Sequence, residues 1–439
     1  MKLAVVVQRY GAAINGGAEL HARYVAEHLA HHADVRVLTT CARDYITWRN
    51  EFPAGVEHVN GISVERFPVA RERDERAFGM WSHRVFDMRH SIADELRWLE
   101  SEGPFSPALV ERVRRSGDEF DYVLLFNARY YQAYHGARAA PERAILVPTA
   151  ERESFLGLEV FGPIFRGVRA IMYNSFEERA VIQAASSNHD VPGVVVGVGS
   201  EVPPNVDAAR FRQTFGVDDR FAIYVGRIDR NKGCAELFEY FTRYAAESRR
   251  PPLLLLAGTA LIDIPKHPRI RHLGFLTDQD KFDAIAAADA LLMPSYFESL
   301  SMVMLEAWAL ARPVLANGRC DVLAGQCLRS NGGLYYRSEA EFAEALDRLL
   351  ADAALSTALG RNGQAYYQRH YAWPVIEGKY LDTFARLGAE GRPSRRMAPV
   401  PGWLARRRNT LPSAADVVSR LPRGPVLRPS DTTAGEDAS

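Results

Sequence analysis

The 439-residue sequence has few cysteines, no net charge and no long hydrophobic run. Its four cysteines, Cys41, Cys234, Cys320 and Cys327, form no C-x-x-C pair, so their spacing suits neither a disulfide framework nor a zinc site. Because 54 basic residues balance 54 acidic ones, the whole chain has no field that attracts nucleic acid. The apolar run LAVVV near the N-terminus is too short for a signal peptide. These absences predict a cytoplasmic protein without a nucleic-acid partner.

Two phosphate-binding motifs are also absent. Gly226 is not part of a Walker loop because no G-K-[ST] follows it, and no G-x-G-x-x-G follows a predicted strand. Nucleoside triphosphate hydrolysis and dinucleotide binding both lose support. We expect no cofactor and no essential metal.

Short apolar, often β-branched runs alternate with helix-period segments in two series along the chain. The runs lie at 3–8, 35–40, 121–126, 144–148, 169–174 and 194–198, and then at 221–226, 253–258, 270–275, 290–295 and 313–318. This alternation predicts an α/β protein with two Rossmann-like, doubly wound parallel-sheet domains facing across a cleft. Ligands of such sheets bind beyond the carboxyl ends of the strands, so candidate site residues should lie just after strands.

Composition shifts divide the chain into segments. They predict an N-terminal domain at 1–198, a linker at 199–220, a C-terminal domain at 221–372, a helix at 373–390, and a disordered basic, Pro-rich tail at 391–439. Residues 70–118 have a helical pattern and form either a lid or acceptor wall, or a plain helical insertion. The Arg-rich stretch at 392–408 either touches anionic lipid weakly at the inner membrane face or is a solvated tail.

The stretch YVGRIDRNKG, residues 224–233, combines the end of a strand with two cations. Arg227 and Lys232 flank a short loop, and Gly233 precedes a helical run. A guanidinium, an ammonium and the free N–H groups of a helix N-terminus together suit a diphosphate. Taken alone, this spacing is also typical of two solvated loop cations.

The stretch GAAINGGAEL, residues 11–20, also follows a strand and opens a helix. Gly16 and Gly17 would let a ligand approach the backbone amides closely, which makes a second anion contact plausible. A tight turn before a helix, with Glu19 in the first turn, explains the glycines almost as well.

The stretch MPSYFESLSMVMLEAWALARPVLA, residues 293–316, sets Glu298 and Glu306 among apolar or small residues, where an unpaired carboxylate costs about several kcal/mol. Ser301 is a predicted N-cap, which leaves Glu298 in the loop and Glu306 in the second helical turn, roughly 10 Å apart. At this spacing one carboxylate can accept hydrogen bonds from sugar hydroxyls while the other holds a ribose diol, with a diphosphate over the helix start between them, which is the layout of a nucleotide sugar. The alternative is a structural salt bridge for Glu306 and a solvated Glu298.

Two metal-like patterns have simpler explanations. Asp278 and Asp280 follow Thr277, which predicts a capping box at a helix start. His28, His31 and His32 close the first helix, where we expect a solvated face and no metal site.

R-x4-K-G followed by E-x7-E within PS-x-x-E-S-x-S-x-x-x-L-E-A-W-A resembles the family 4 retaining glycosyltransferases of the GT-B fold. The resemblance covers roughly residues 1–385 and is strongest over 222–336. It implies that the domain at 1–198 is the acceptor-side domain, that the domain at 221–372 binds the donor, and that the helix at 373–390 crosses back to the N-terminal domain.

The resemblance also implies a role for each candidate residue. Arg227 and Lys232 hold the donor diphosphate, and the backbone of Ser301, Met302 and Val303 meets the phosphates. Glu306 binds the ribose, Glu298 binds the transferred sugar, Gly16 and Gly17 approach the donor phosphates and acceptor, and Gly274 and Phe275 face the nucleobase.

Many members of this family have a T-x-H motif where this chain reads AILVPTAERES, so Glu151 stands in place of the His. A Glu can hydrogen-bond a sugar hydroxyl or act as a base, but it supplies no neutral imidazole N–H.

The resemblance implies a retaining transferase that moves a hexose from a nucleoside-diphosphate sugar to a hydroxyl of a polysaccharide or lipid-linked glycan. The implied mechanism is front-face attack in which the leaving diphosphate helps to deprotonate the acceptor, without a protein nucleophile. Two alternatives stay open. One is a nucleotide-sugar epimerase or sugar-phosphate-forming enzyme of the same fold; the other is a donor-binding, non-catalytic subunit, which the substitution by Glu151 favours.

Overall fold

The computed structural model describes residues 1–14, 16–391, 397–400 and 414–421. Residues 1–399 form one compact unit that contains two sheets, each covered by helices. The predicted α/β class with two mainly parallel sheets is confirmed. In the second unit, residues 400–439, the described residues are Val400 and 414–421, which include the helix Ala414–Ser419. Most of the predicted disordered tail, including most of the Arg-rich stretch at 392–408, lies outside the described residues.

The first sheet has eight strands in the order β3-β4-β2-β1-β5-β6-β7-β8. Its central strand β1 is buried after its first residue, because each side chain of LAVV contacts either a neighbouring strand's side chains or a covering helix. All neighbouring strands of this sheet pair in parallel, except that β3 and β4 are antiparallel. The strands are β1 (Lys2–Val6), β2 (Asp34–Thr40), β3 (Gly55–Val59), β4 (Ile62–Phe67), β5 (Tyr122–Phe126), β6 (Ala144–Val147), β7 (Ala170–Tyr173) and β8 (Gly193–Val195).

The second sheet has six strands in the order β11-β10-β9-β12-β13-β14, all parallel. The order reverses direction between β9 and β12, so the loops after these two strands lie side by side, as expected at the switch point of a doubly wound sheet. The strands are β9 (Phe221–Val225), β10 (Leu253–Ala257), β11 (Ile270–Gly274), β12 (Ala290–Met293), β13 (Val314–Asn317) and β14 (Gly333–Tyr336).

The helices in residues 1–399 cover the faces of both sheets and pack their apolar sides against them. They are α1 (Gly17–Leu29), α2 (Glu75–Asp87), α3 (Ile92–Glu102), α4 (Pro107–Arg115), α5 (Tyr131–Ala139), α6 (Phe161–Gly167), α7 (Phe176–Ser186), α8 (Ala208–Phe215), α9 (Cys234–Glu247), α10 (Asp278–Ala287), α11 (Met302–Ala309), α12 (Asp321–Ser330), α13 (Glu339–Ala351), α14 (Ala353–His370) and α15 (Trp373–Ala389).

Three strands differ from the sequence-based expectation. The hairpin β3-β4 and the edge strand β14 were not predicted, because β3 and β4 mix charged and apolar residues and β14 has only four residues. The segment at 199–220 contains no strand, as expected, but it does contain α8, which the turn-forming residues around it conceal.

Helix α15 lies against the first sheet. Tyr122 donates its hydroxyl hydrogen bond to the carbonyl of Phe384 over 3.1 Å, and Arg169 donates to the carbonyl of Leu387 over 2.8 Å. Lys379 reaches the carbonyl of Val196 over 3.1 Å. These contacts tie α15 to the strands of the first sheet and to the segment after β8.

The expectation of a solvated histidine face at the end of α1 is wrong for His28. Its ring is stacked on Trp373 with 3.6 Å between ring centroids, and its two ring nitrogens lie 2.7 Å from Glu377 and 2.6 Å from Glu201. Burial works against the charged imidazole, but the two carboxylates outweigh it and raise the pKa of His28. The histidines therefore help to join α1 to α15.

Candidate functional site

The loops after β9 and β12 meet where the sheet order reverses. Gly233 precedes α9 with φ +73°, and a Cβ placed on it would lie 2.0 Å from the carbonyl oxygen of Pro294. Only glycine allows both this backbone conformation and this approach. The close contact holds the start of α9 against the residue that follows β12.

Lys232 and Glu298 form an ion pair across these two loops, with 2.7 Å between Nζ and Oε1. Burial works against the ammonium, but Glu298 and Glu151 outweigh it and raise the pKa of Lys232. The side chains of Lys232 and Glu298 are 27% and 13% exposed, so both groups lie mostly out of the solvent. The alternative of a solvated Glu298 is therefore wrong.

Asp229, which the sequence analysis did not single out, organises both cations of the loop. Its Oδ1 accepts a hydrogen bond from the backbone N–H of Lys232 over 2.7 Å, and its other oxygen accepts one from the Arg227 guanidinium. Arg227 is 43% exposed, which leaves part of its guanidinium open. Burial works against this charge, but Asp229 outweighs it and raises the pKa of Arg227.

Glu306 lies on α11 with 3% of its surface exposed. Its Oε1 accepts a hydrogen bond from Lys281 over 2.8 Å, whereas its Oε2 is buried without a protein partner among the described residues. Burial raises the pKa of Glu306, and Lys281 opposes that shift. One carboxylate oxygen is therefore left to accept a hydrogen bond from a ligand.

Ser301 precedes α11, as predicted, but its side chain makes no cap hydrogen bond. Its backbone has φ +70°, and its hydroxyl lies 3.9 Å from the sulfur of Met293. The predicted cap interaction is wrong because this left-handed backbone turns the hydroxyl away from the helix. The first N–H groups of α11, at Met302 and Val303, are consequently not occupied by that side chain. Thr277, by contrast, does cap α10 at the N–H of Asp280.

Glu151 lies in the loop after β6. It and Glu298 line the same pocket, which has a volume of about 60 Å³. Burial raises the pKa of Glu151 to about 7; Lys232 opposes this shift, and Glu298 adds to it. The structure thus brings one predicted residue of the N-terminal domain together with two of the C-terminal domain.

The loop that carries Glu151 is held by a second carboxylate that sequence reasoning missed. Glu178 accepts hydrogen bonds from the backbone N–H of Ala150 over 2.6 Å and from that of Asn174 over 2.5 Å. Burial raises the pKa of Glu178 to about 8. Thr149 has φ +51° and a buried hydroxyl without a partner among the described residues, so this short loop also stores backbone strain.

The predicted glycines of the first loop have different surroundings. A Cβ on Gly16 would lie 2.1 Å from Oε2 of Glu19, which pairs with Arg9, whereas a Cβ on Gly17 would meet nothing within 4 Å. Asn15 lies outside the described residues. Of the other predicted pair, Gly274 ends β11 with φ +74° and Phe275 is 70% exposed.

Several contacts join the two domains around this cleft. Asn174 lies 3.4 Å from the Ser299 hydroxyl, Arg152 pairs with Asp321 over 2.9 Å, and Arg329 pairs with Glu177 over 2.5 Å. The pocket of Glu151 and Glu298 lies among these contacts, so its walls come from both domains.

Comparison with known proteins agrees with this architecture. Residues 219–352 match the family model described as glycosyl transferases group 1. Over 197 residues the chain is 27% identical to alpha-maltose-1-phosphate synthase of Mycobacterium tuberculosis, covering 40% of this chain and 50% of the relative. Thus the chain spans about half the length of that relative. An uncharacterized glycosyltransferase of Methanocaldococcus jannaschii is 26% identical over 407 residues, covering 88% of this chain and 98% of the relative.

Similarity to solved structures extends over both domains. The Anabaena protein HepE, solved in complex with UDP-glucose, superposes with a TM-score of 0.63 at 17% identity, covering 88% of this chain and 100% of that protein. This likeness identifies the fold as GT-B. Among the described residues, no helix combines the length and the apolar character needed to cross a membrane.

Proposed function

On the premise that the chain has the GT-B fold and carries a glycosyl transferases group 1 domain at residues 219–352, we propose that it is a retaining glycosyltransferase. It moves a hexose from a nucleoside-diphosphate sugar to a hydroxyl of a polysaccharide or lipid-linked glycan. The observation that carries the proposal is the pair of Lys232 and Glu298 beside Glu151, with the buried, unpartnered oxygen of Glu306 on the neighbouring helix.

Cationic and acidic side chains bind different parts of the donor. Lys232 and the exposed part of Arg227 bind the diphosphate, and the first N–H groups of α11 add uncharged donors. The unpartnered Oε2 of Glu306, which is buried before the donor binds, accepts a hydrogen bond from a ribose hydroxyl, and Glu298 binds the hydroxyls of the transferred sugar. HepE shares the fold and was solved in complex with UDP-glucose, which supports a nucleotide-sugar donor for this chain.

Transfer proceeds on one face of the sugar. The bond between the anomeric carbon and the diphosphate oxygen breaks, the acceptor oxygen bonds to that carbon, and the acceptor proton moves to the leaving diphosphate. Lys232 and Arg227 stabilise the negative charge that develops on the diphosphate. These two cations supply the charge that a metal ion supplies in other transferases, so we propose that no metal is required.

Glu151 acts as a hydrogen-bond donor in this reaction. With a pKa of about 7, its carboxyl is protonated in a large fraction of molecules at neutral pH, and its O–H can donate to a sugar hydroxyl. It thereby takes the place of the neutral imidazole N–H that related enzymes use. We place the enzyme in the cytoplasm, where its four cysteines, which are free and buried, stay reduced.

The test is product formation by the purified full chain. UDP-, GDP- and ADP-sugars are offered with glycan acceptors, released nucleoside diphosphate is measured, and the anomeric configuration of the product is read by proton NMR. A nucleoside diphosphate at 100 times its dissociation constant should add about 2.7 kcal/mol to the free energy of unfolding. The proposal is contradicted if the product has the inverted configuration. It is also contradicted if none of the nucleoside diphosphates stabilises the chain and none is released. Loss of activity with EDTA contradicts the metal-free mechanism.

A second candidate is transfer to the phosphate of a sugar phosphate, favoured by the similarity to alpha-maltose-1-phosphate synthase. Offering the same donors with a sugar 1-phosphate separates this candidate from transfer to a hydroxyl. Incubation with donor alone, followed by NMR, detects an epimerase by the appearance of a new nucleotide sugar.

A further inference from the structure

The N-terminal domain contains a second pocket, of about 430 Å³, formed by the start of α2, the end of α3 and the segments beside them. It shares no lining residue with the pocket of Glu151 and Glu298. Its volume falls in the range of about 300–1,000 Å³ that is typical of small-molecule sites. The helical insertion at 70–118 therefore encloses a space of its own.

The floor of this pocket is rigid and partly aromatic. Trp48 is buried and donates its indole N–H to the carbonyl of Glu102 over 2.7 Å. Arg73 lies over the Trp48 ring at 5.0 Å from its centroid and also donates to Glu102. Because these groups are already paired, they shape the floor and leave recognition to the rim.

The rim combines aromatic faces with cations. Arg97 lies over the Trp81 ring at 5.4 Å, and Arg71 lies over the Phe105 ring at 4.7 Å. Arg71 has Glu100 at 3.7 Å, whereas Arg97 has no carboxylate within 4 Å among the described residues. Two other carboxylates also line the pocket, but Glu72 lies 3.7 Å from Arg49 and Asp74 accepts hydrogen bonds from the first N–H groups of α2. Arg97 is thus the lining guanidinium without an ion pair among the described residues.

A pyranose fits this combination because its C–H faces pack on aromatic rings while its hydroxyls pair with the carboxylates and guanidinium groups at the edge. The unpaired Arg97 adds a preference for a negative charge, which a guanidinium binds through two parallel hydrogen bonds. An acidic saccharide therefore matches the pocket better than a neutral one.

Ion pairs connect the floor of the pocket to the loop of Glu151. Glu102 pairs with Arg73 over 3.1 Å and with Arg129 over 2.6 Å, and Arg129 pairs with Glu153 over 2.7 Å. The backbone N–H of Glu153 donates to the carbonyl of Glu151 over 2.8 Å. A chain bound in the pocket thus lies on the same framework that holds the candidate catalytic carboxyl.

We propose that this pocket binds an acidic saccharide unit of the acceptor, carrying a carboxylate or a phosphate. This inference rests on the proposed function for the identity of the bound chain as acceptor, but binding itself is measurable without turnover.

The experiment is isothermal titration of the full chain with uronic-acid oligosaccharides, sugar phosphates and neutral oligosaccharides of equal length. We expect the acidic ligands to bind more tightly, and Arg97→Ala to weaken them by about tenfold or more. Trp81→Ala should weaken acidic and neutral ligands alike. The matched control is Arg76→Ala, which removes the same charge from an exposed position of α2 that does not line the pocket.

The two acidic ligands separate a carboxylate preference from a phosphate preference. Equal binding of acidic and neutral ligands, or unchanged binding after Arg97→Ala, overturns the proposal. Arg97 is exposed, so its replacement should leave folding intact. Nucleoside diphosphate binding is measured in parallel: its absence from the wild type counts against the proposed function, whereas its persistence in Arg97→Ala shows that the donor site is undisturbed.

Discussion

At the candidate site, the two carboxylates from the C-terminal domain and the two from the N-terminal domain are stabilised in opposite ways. Glu298 and Glu306 each face a lysine within 2.8 Å, so their charges are balanced before any ligand arrives. Glu151 and Glu178 form no ion pair with any described residue, and burial raises their pKa to about 7 and about 8. The difference indicates that one domain keeps fixed charges for a charged donor, while the other keeps carboxyl groups that change protonation near neutral pH.

Removing a fixed charge on the donor side should have the largest effect. Lys232→Ala should lower turnover by about 100- to 1,000-fold, because the negative charge on the leaving diphosphate loses its preorganised partner. The measurement is nucleoside diphosphate release at saturating donor and acceptor, with melting temperature as the check of folding.

The matched control for this change is Arg230→Ala, which removes an exposed cation two residues away. Turnover of Lys232→Ala within a few-fold of the wild type would show that the loop cation has no role in transfer.

Removing the ribose-side carboxylate should have the next largest effect. Glu306→Gln should weaken nucleoside diphosphate binding by about 10- to 100-fold, since a charge-assisted hydrogen bond is lost. It should also destabilise the fold, because Lys281 is left buried without its partner.

The double variant Glu306→Gln with Lys281→Met separates these two effects. Removal of both charges should restore the melting temperature while donor binding stays weak. Recovery of binding together with stability would mean that Glu306 is purely structural.

Replacing the tight glycine between the two loops should destabilise the C-terminal domain. Gly233→Ala introduces a Cβ at 2.0 Å from the Pro294 carbonyl on a backbone with φ +73°, which costs about 1–3 kcal/mol or more. Gly17→Ala, which meets nothing within 4 Å, should fold normally and weaken only donor binding. Chemical denaturation measures both, and equal stability of the two variants would contradict the geometry.

Raising the pH should have a smaller and graded effect through Glu151. Activity should fall as pH rises through about 7, because the carboxyl loses the proton that it donates to a sugar hydroxyl. The free energy of unfolding should change in the same direction. The pKa of Glu151 in the folded state lies above its unfolded value of about 4.5, so its contribution to stability is present below pH 4.5 and is lost as pH rises through 7.

Glu151→Gln should remove this pH dependence, since an amide keeps an N–H donor and does not titrate. Glu159→Gln, at an exposed position nearby, serves as the control and should leave the profile unchanged. An activity that rises through pH 7 would instead assign Glu151 the role of a base.

The sequence was informative where local pattern determines structure. The runs FAIYV and ALLM predict buried parallel strands, and the loops after these two strands supplied Arg227, Lys232 and Glu298. The hairpin β3-β4 was missed because its alternating pattern was interrupted by charged residues.

Partners distant along the chain were out of reach of the sequence. Lys281 comes near Glu306 only because α10 and α11 pack together, and Glu178 reaches the N–H of Ala150 only once α7 lies below the β6 loop. Asp229 was the exception that a closer examination of RIDRNK would find, since an acid between two loop cations is typical of a group that orients both.

The ion pairs of Arg152 with Asp321 and of Arg329 with Glu177 join helix α12 to the N-terminal domain and should therefore influence how fast a bound nucleotide leaves. Dissolved ions screen the exposed pair of Arg152 and Asp321 over distances of about 10 Å at 0.1 M salt, and they screen the more buried pair of Arg329 and Glu177 less. Added potassium chloride should therefore shorten the residence time of a bound nucleotide, which stopped-flow fluorescence can follow. An unchanged residence time across that range would assign nucleotide release to a step that does not separate these ion pairs.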